Sequence, residues 1–293
     1  MPYPPVDNGR TFIKTTHKDT YPFINPAKSD HTGHYVLITG GSKGIGLATA
    51  ISFAQAGAAG IAITGRSDLT DAGKQIFVAA AKAGKPSPKI VALPMDVLDL
   101  ESVNNAMADL EKVFPKLDIL INNAGYLSPF DPIMQSEPAD WWKNWEVNVR
   151  GVYWVTKAIL PFLLNGGEKT IVNVSSAGAH GVRHGGSGYQ TTKFALLRFT
   201  EYLMVEHFDD GLLAYSVHPC GNVTKLGSSM PKDLHHLLTD TLEIASDTMC
   251  FLTQTRREWL AGRYVSCTWD MEEFLSREQE IVEGDKLKMR MTF

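Results

Sequence analysis

Tyr189-Gln-Thr-Thr-Lys193 places a phenol and an ammonium four residues apart. On a helix that spacing puts both side chains on one face. A free tyrosine titrates near ~10, too high for ready proton exchange at neutral pH. A fixed positive charge beside it favours the phenolate and lowers that value, with no metal required. The pair therefore predicts general acid–base work on a substrate oxygen. Tyr153 and Lys157 repeat the same spacing, and both pairs cannot be the site. Context separates them. Tyr153 lies inside a long helix-like stretch opened by Pro138, with no serine upstream at useful range. Tyr189 follows a β-rich run ending in Ser175-Ser176 and a loop rich in glycine (Gly178, Gly181, Gly185, Gly186, Gly188). The carboxyl ends of strands are where α/β sheets hold ligands.

A second constellation is Thr39-Gly-Gly-Ser-Lys-Gly-Ile-Gly46, between a strand-like and a helix-like run. A dinucleotide fold needs glycines there for a tight turn and close approach to a pyrophosphate at a helix N-terminus. The spacing, Gly40-x3-Gly44-x-Gly46, departs from the usual G-x-G-x-x-G. About twenty residues beyond such a turn, an acid binds the ribose 2′-hydroxyl of NAD, whereas an arginine accommodates the 2′-phosphate of NADP. Arg66 stands there, no acid lies between Gly46 and Arg66, and Lys43 adds a cation inside the turn. These residues favour NADP(H). Ser67-Asp68 reads as the cap of the following helix, which is compatible with a phosphate clamp.

The elements that must position these residues alternate along the chain. Strand-like runs occupy 34–39, 60–65, 89–95, 117–122, 170–175 and 212–218. Helix-like runs occupy 44–57, 69–83, 100–113, 138–164, 194–207 and 242–252. This alternation predicts right-handed crossovers and a three-layer, doubly wound α/β parallel sheet in one domain. Residues 1–33 carry five of the fifteen prolines and no periodicity, and read as an N-terminal surface arm before a domain at 34–270. The charged tail, 271–293, has no assigned place. With 44% apolar and 20% charged residues, the 293-residue chain can bury a real core. A net charge of −4 argues against nucleic acid as a partner. No apolar run suits a secretory signal or a membrane span, and Cys220, Cys250 and Cys267 form no paired motif. A cytoplasmic protein without a metal site, acting on a small molecule, is expected.

Taken together, the turn 39–46, Asn122-Asn-Ala-Gly125, the pair Ser176 and Tyr189 thirteen apart, and Tyr189-x3-Lys193 resemble the short-chain dehydrogenase/reductase family. The resemblance covers roughly residues 34–267 and implies a Rossmann fold. It also implies roles. Tyr189 would give or take the proton, Lys193 would lower its pKa and bind the nicotinamide ribose, and Ser176 would hydrogen-bond the reacting oxygen. Ser175 is its rival, but adjacent strand residues face opposite ways, and the thirteen-residue spacing favours Ser176. Asn148 resembles the helix asparagine that holds a proton-relay water. Gly40, Ser42, Lys43, Ile45 and Gly46 would cradle the cofactor, Asp96 and Val97 its adenine, and Asn123 to Gly125 its other side. The family's Pro-Gly-x-Val-x-Thr reads Pro219-Cys-Gly-Asn-Val-Thr224 here. One alignment keeps Thr224 in register over the carboxamide, the other Val223. Softer likenesses, in the arm and in 259–267, point to reductases of filamentous-fungal natural-product pathways.

These readings converge on hydride transfer between a ketone and a secondary alcohol. The alternatives are a non-redox enzyme on the same fold (cyclase, epimerase or dehydratase) that retains NADP, and a cofactor sensor, which has no need of the Tyr189–Lys193 pair. Tyr126, Leu127, Phe130, the loop 177–188 and the segment 225–236 are the expected substrate walls, suited to a medium-sized apolar molecule. Trp141, Trp142, Trp145, Tyr153, Trp154 and Leu160 give the 138–164 helix an aromatic surface, from which a homodimer or homotetramer is expected.

Overall fold

Short aliphatic runs bounded by glycines or polar residues assemble one seven-stranded sheet. A computed structural model describes residue 9 and residues 11–291. The strands are β1 (Tyr35–Ile38), β2 (Gly60–Gly65), β3 (Lys89–Pro94), β4 (Ile119–Asn122), β5 (Thr170–Val174), β6 (Leu213–His218) and β7 (Tyr264–Ser266). They run parallel in the order β3-β2-β1-β4-β5-β6-β7. Alternate residues on a strand point to opposite faces, and both faces are covered. Val36, Ile38, Ile119 and Ile121 join a core with α1 (Gly44–Gln55), α2 (Thr70–Lys82) and α7 (Leu242–Thr253). Leu37 and Leu120 join a second core with α3 (Leu100–Val113) and α5 (Val152–Leu164). This is the expected three-layer Rossmann arrangement. Chain direction around the sheet reverses between β1 and β4, which opens a crevice at their carboxyl ends.

Several elements differ from the expectation. The helix expected over 138–164 is α4 (Pro138–Trp145), a π-helical segment Glu146–Gly151, and then α5. A Cβ on Gly151 would lie 2.9 Å from Val97 Cβ, so the widened turn sits hard against the loop after β3. Helix α6 (Ser187–His207) starts seven residues before Phe194. Gly188 hides that start in the sequence, since glycine is a poor helix former. Here it is required by packing, because a Cβ would come 2.8 Å from Asn144 Nδ2. Strand β7, only three residues long, carries no readable alternation.

The arm and the tail are both built into the body. Residues 1–8 and 10 lie outside the described residues. From residue 11 onward the stretch expected only at the surface buries Ile13, Ile24 and His31, and Thr16 forms an antiparallel bridge with Trp269. The tail folds into α8 (Met271–Ser276) and α9 (Glu278–Glu283), which bury Met271, Phe274 and Ile281. Apolar residues at irregular spacing gave no period to read in either segment; the arm packs on α1 and α7 as well as on the segment after β7.

Candidate active site

The turn after β1 is shaped by backbone needs. Gly44 has φ +58°, a region that disfavours side chains, at the first residue of α1. Gly46 allows close approach: a Cβ there would sit 2.3 Å from Gly40 O and 2.6 Å from Asn123 Nδ2. The first turn of α1 has no acid and no side-chain cap, so its orphan N–H groups and positive dipole end remain available to an anion. Asn123 ties the loop after β4 to the turn, Nδ2 donating to Thr39 O at 2.9 Å. Thr39 Oγ1 accepts from the backbone N–H groups of Asn123 and Ala124, each at 3.0 Å. Gly46→Ala is expected to lower stability by about 1–3 kcal/mol, because overpacking must push α1 off the turn. Thermal melting of the variant would measure it, and an unchanged midpoint would refute the close-packing role.

Ser176, Tyr189 and Lys193 come together at the carboxyl end of β5. Ser176 and Tyr189 line the same space, and Ser176 Oγ accepts from Gly178 N at 3.0 Å. Ser175 faces away, buried, with Oγ donating to Lys193 O at 2.7 Å. The two adjacent serines thus divide as strand geometry requires. Buried Lys193 donates from Nζ to Val174 O at 2.8 Å, and the ammonium lies 5.7 Å from the Tyr189 ring centroid. Burial pushes the Tyr189 phenol up to about 12, against the Ser176 hydrogen bond that lowers it, and pulls Lys193 down to about 8. The lowering of the phenol expected from Lys193 is absent in this arrangement: both groups are desolvated together, and the ammonium is turned to a carbonyl.

Asn148 is fully buried in the π segment. Its Nδ2 donates to Tyr126 O at 2.9 Å and Thr192 Oγ1 at 3.0 Å, and its Oδ1 accepts from Tyr126 N at 2.8 Å. The carboxamide acts as a clamp between the loop after β4 and α6. Below the site a buried polar ladder runs across three strands. Asn122 Nδ2 donates to Asn173 Oδ1, Asn173 Nδ2 to Thr200 Oγ1, and Thr200 shares a hydrogen bond with Ser216. No spacing in the sequence announces this ladder, because its members lie on three strands and on α6.

Two clefts meet at Tyr189. One, of about 630 Å³, is lined by Gly40, Ser42, Lys43, Ile45, Arg66, Asp96, Val97, Asn123, Val223 and Thr224, with Tyr189 and Lys193 at its inner end. Gly46 stands behind the turn, packed on Gly40. Both candidates of the 219–224 segment, Val223 and Thr224, face this cleft, as do Lys143 and Lys225, which the sequence did not single out. Five basic side chains, Lys43, Arg66, Lys143, Lys193 and Lys225, thus surround a space with one carboxylate, Asp96. The residues fit an anionic dinucleotide. Asp68, by contrast, accepts from Thr70 N and Oγ1 as a helix cap.

The second cleft, of about 780 Å³, holds Ser176 and Tyr189 together with Leu127, Phe130, Val182, Met230 and Leu234 from the expected walls. Tyr126 lines the first cleft instead, its hydroxyl donating to Asp140 Oδ1 at 2.8 Å. Thr16, His17 and Lys18 of the arm also line the second cleft, and nothing in their spacing pointed to it. Tyr153 is 44% exposed on the outer surface, with Lys157 Nζ 5.8 Å from its ring centroid. The duplicate pair is therefore outside both clefts.

A family model for short chain dehydrogenase matches residues 34–235. The chain belongs to the short chain dehydrogenase family. It is 47% identical over 291 residues to a short chain dehydrogenase of Monascus purpureus, covering 99% of each chain. It is 38% identical over 286 residues to one of Emericella variicolor, covering 98% of each. Among solved short chain dehydrogenase folds it is similar to a 3-ketoacyl-(acyl-carrier-protein) reductase from Brucella melitensis complexed with NADH. That pair has TM-score 0.70 and 25% identity, over 81% of this chain and 97% of the other. It is equally similar to a short chain dehydrogenase from Shigella flexneri complexed with NADP, with TM-score 0.70 and 24% identity, over 82% of this chain and 99% of the other. Membership in the short chain dehydrogenase family makes the chain an oxidoreductase of the kind that uses a nicotinamide cofactor. No helix among the described residues is long and apolar enough to cross a membrane.

Proposed function

We propose that this short chain dehydrogenase is an NADP(H)-dependent enzyme interconverting a ketone and a secondary alcohol on a medium-sized, largely apolar small molecule. The observation that carries this reading is Tyr189 lining both clefts, with Ser176 on the substrate side and buried Lys193 on the cofactor side. The nicotinamide supplies or takes up the hydride at the substrate carbon. In reduction, Tyr189 gives its hydroxyl proton to the carbonyl oxygen as the C–H bond forms, leaving an alcohol; in oxidation it takes that proton back. Ser176 donates a hydrogen bond to the same oxygen, where negative charge develops. Lys193, swinging from Val174 O, binds the ribose and offsets charge on the phenolate. Asn148 is a positioning residue, holding Tyr126 and α6 in place. The cytoplasm is the proposed location and secondary metabolism the proposed setting, supported by relatives in Monascus and Emericella.

Stoichiometric loss of NADPH absorbance across a panel of carbonyl compounds tests the reading; cofactor that is bound but never consumed overturns it. The same assay has an expected pH dependence. Below about 8 Lys193 is charged, and Tyr189, near 12, is protonated and ready to donate. As pH rises through about 8 the ammonium is lost, so kcat/KM for reduction should be level on the acid side and fall above that point. A profile that rises through this range would contradict the assignment of Lys193.

A homodimer or homotetramer is part of the proposal, on a narrower basis than the sequence suggested. Of the six residues on 138–164, only Trp142 at 60% and Tyr153 at 44% are exposed. Trp141 turns inward to donate to Ser187 Oγ, and Leu160 packs on the core. The outer face of α6 adds Tyr202 at 56% and Val205 at 80% exposure. Light scattering at micromolar concentration should give a multiple of 32.3 kDa, and a monomer would count directly against it.

A further inference from the structure

The second cleft is two-sided. Strand order places the loop after β4, with Leu127 and Phe130, on one side of Ser176 and Tyr189. It places β7 and the arm on the other, where the lining is Thr16, His17, Lys18, Ser266 and Thr268. From β5 to β7 is two strand spacings, roughly 10 Å at about 4.8 Å each. The side chains there are hydroxyls, an imidazole and an ammonium.

The arm is fixed in that position. His17 N donates to Thr268 O at 2.8 Å, and Thr241 N donates to Lys18 O at 2.8 Å. Three carboxylates bracket it. Glu273 accepts from Lys14 N and Thr15 N, each at 3.0 Å. Asp270 Oδ2 meets His17 Nε2 at 2.8 Å, and Asp247 accepts from Thr20 Oγ1 at 2.6 Å. The His17 ring is stacked on Tyr21 at 3.7 Å, which leaves Nδ1 as its remaining hydrogen-bonding atom. A wall held this firmly presents its polar groups without an ordering cost on binding. It also lies outside the family match, which begins at residue 34, while relatives align with the chain over 99% of its length.

We propose that Thr16 and His17 form the specificity wall of the substrate cleft. The substrate they select is a carbonyl compound with a rigid apolar body about two fused rings long and a hydroxyl at the end far from the carbonyl. The inference rests on the carbonyl-reducing reading above. Thr16 and His17 hydrogen-bond the distal hydroxyl, Leu127 and Phe130 cover the apolar body, and the carbonyl reaches Tyr189.

The test is calorimetric titration of NADP-loaded protein with 2-acetylnaphthalene and 6-hydroxy-2-acetylnaphthalene. Wild type should bind the hydroxylated probe about tenfold tighter, the scale of one good neutral hydrogen bond. Thr16→Val together with His17→Phe should bring the two probes within about twofold, with affinity for the plain ketone and for NADPH unchanged. If losing the His17–Asp270 pair prevents folding, Thr16→Val with Thr268→Val reads the same wall and should remove most of the preference. Equal affinities in wild type, a preference kept in the variants, or no binding of either probe overturns the proposal. NADPH consumption with the same probes separates it from the reading beneath. Wall-dependent binding without turnover removes the redox function and keeps the wall. Turnover that is identical in wild type and variants removes the wall and keeps the function.

Discussion

Tyr189→Phe is expected to lower kcat by about 10²–10⁴-fold, the usual worth of a positioned general acid. The substitution removes one oxygen and almost no volume, so the cleft should keep its shape. NADPH affinity should stay within about threefold, since the phenol meets the cofactor only at the inner end of its cleft. Ser176 would keep its hydrogen bond from Gly178 N, so the loop after β5 should hold its place. Tyr153→Phe is the matched control. That ring is 44% exposed and lines neither cleft, so most activity should remain. Steady-state kinetics with separate fluorescence titration of NADPH distinguishes the effects. If Tyr153→Phe abolishes turnover and Tyr189→Phe does not, the choice between the two pairs is wrong.

Arg66→Asp is expected to invert the cofactor preference. Arg66 is exposed at the end of β2 and lines the cleft beside Ser42 and Lys43. Its planar fork matches a phosphate, and Lys43 adds a point charge. Charge-assisted hydrogen bonds contribute roughly 1.5–3 kcal/mol each, so wild type should hold NADPH about ten- to a hundred-fold tighter than NADH. An aspartate there repels the 2′-phosphate and accepts the 2′-hydroxyl of NADH, which turns the preference round. Added salt should weaken NADPH more than NADH in wild type, because exposed charges are screened. Asp68 does not supply the acid already, since it is held as the cap of α2 by Thr70. Paired titrations of NADPH and NADH on both proteins give the answer. Equal affinities in wild type would reduce Arg66 and Lys43 to surface charges.

Where a motif is local, the sequence alone determined it. Alternating aliphatic runs and glycine-bounded turns specified the parallel sheet and its dinucleotide turn, because strand and helix periods and positive-φ glycines are properties of neighbouring residues. The spacing of Ser176, Tyr189 and Lys193 named the catalytic candidates for the same reason. The tertiary structure decided what depends on residues far apart in the chain. It set Tyr189 in both clefts and Tyr153 on the outer surface, in line with the choice that sequence context had made, because packing determines which helix face meets a cleft. It turned the Asn148 carboxamide into a clamp between Tyr126 and Thr192, and it raised the Tyr189 phenol rather than lowering it, since burial acts on the assembled site. It brought Thr16–Lys18 to the substrate cleft through Trp269, Asp270 and Glu273, more than two hundred residues away. An aperiodic arm carries no signal of its partner; its place is set by the carboxylates and the strand edge that fold back to meet it.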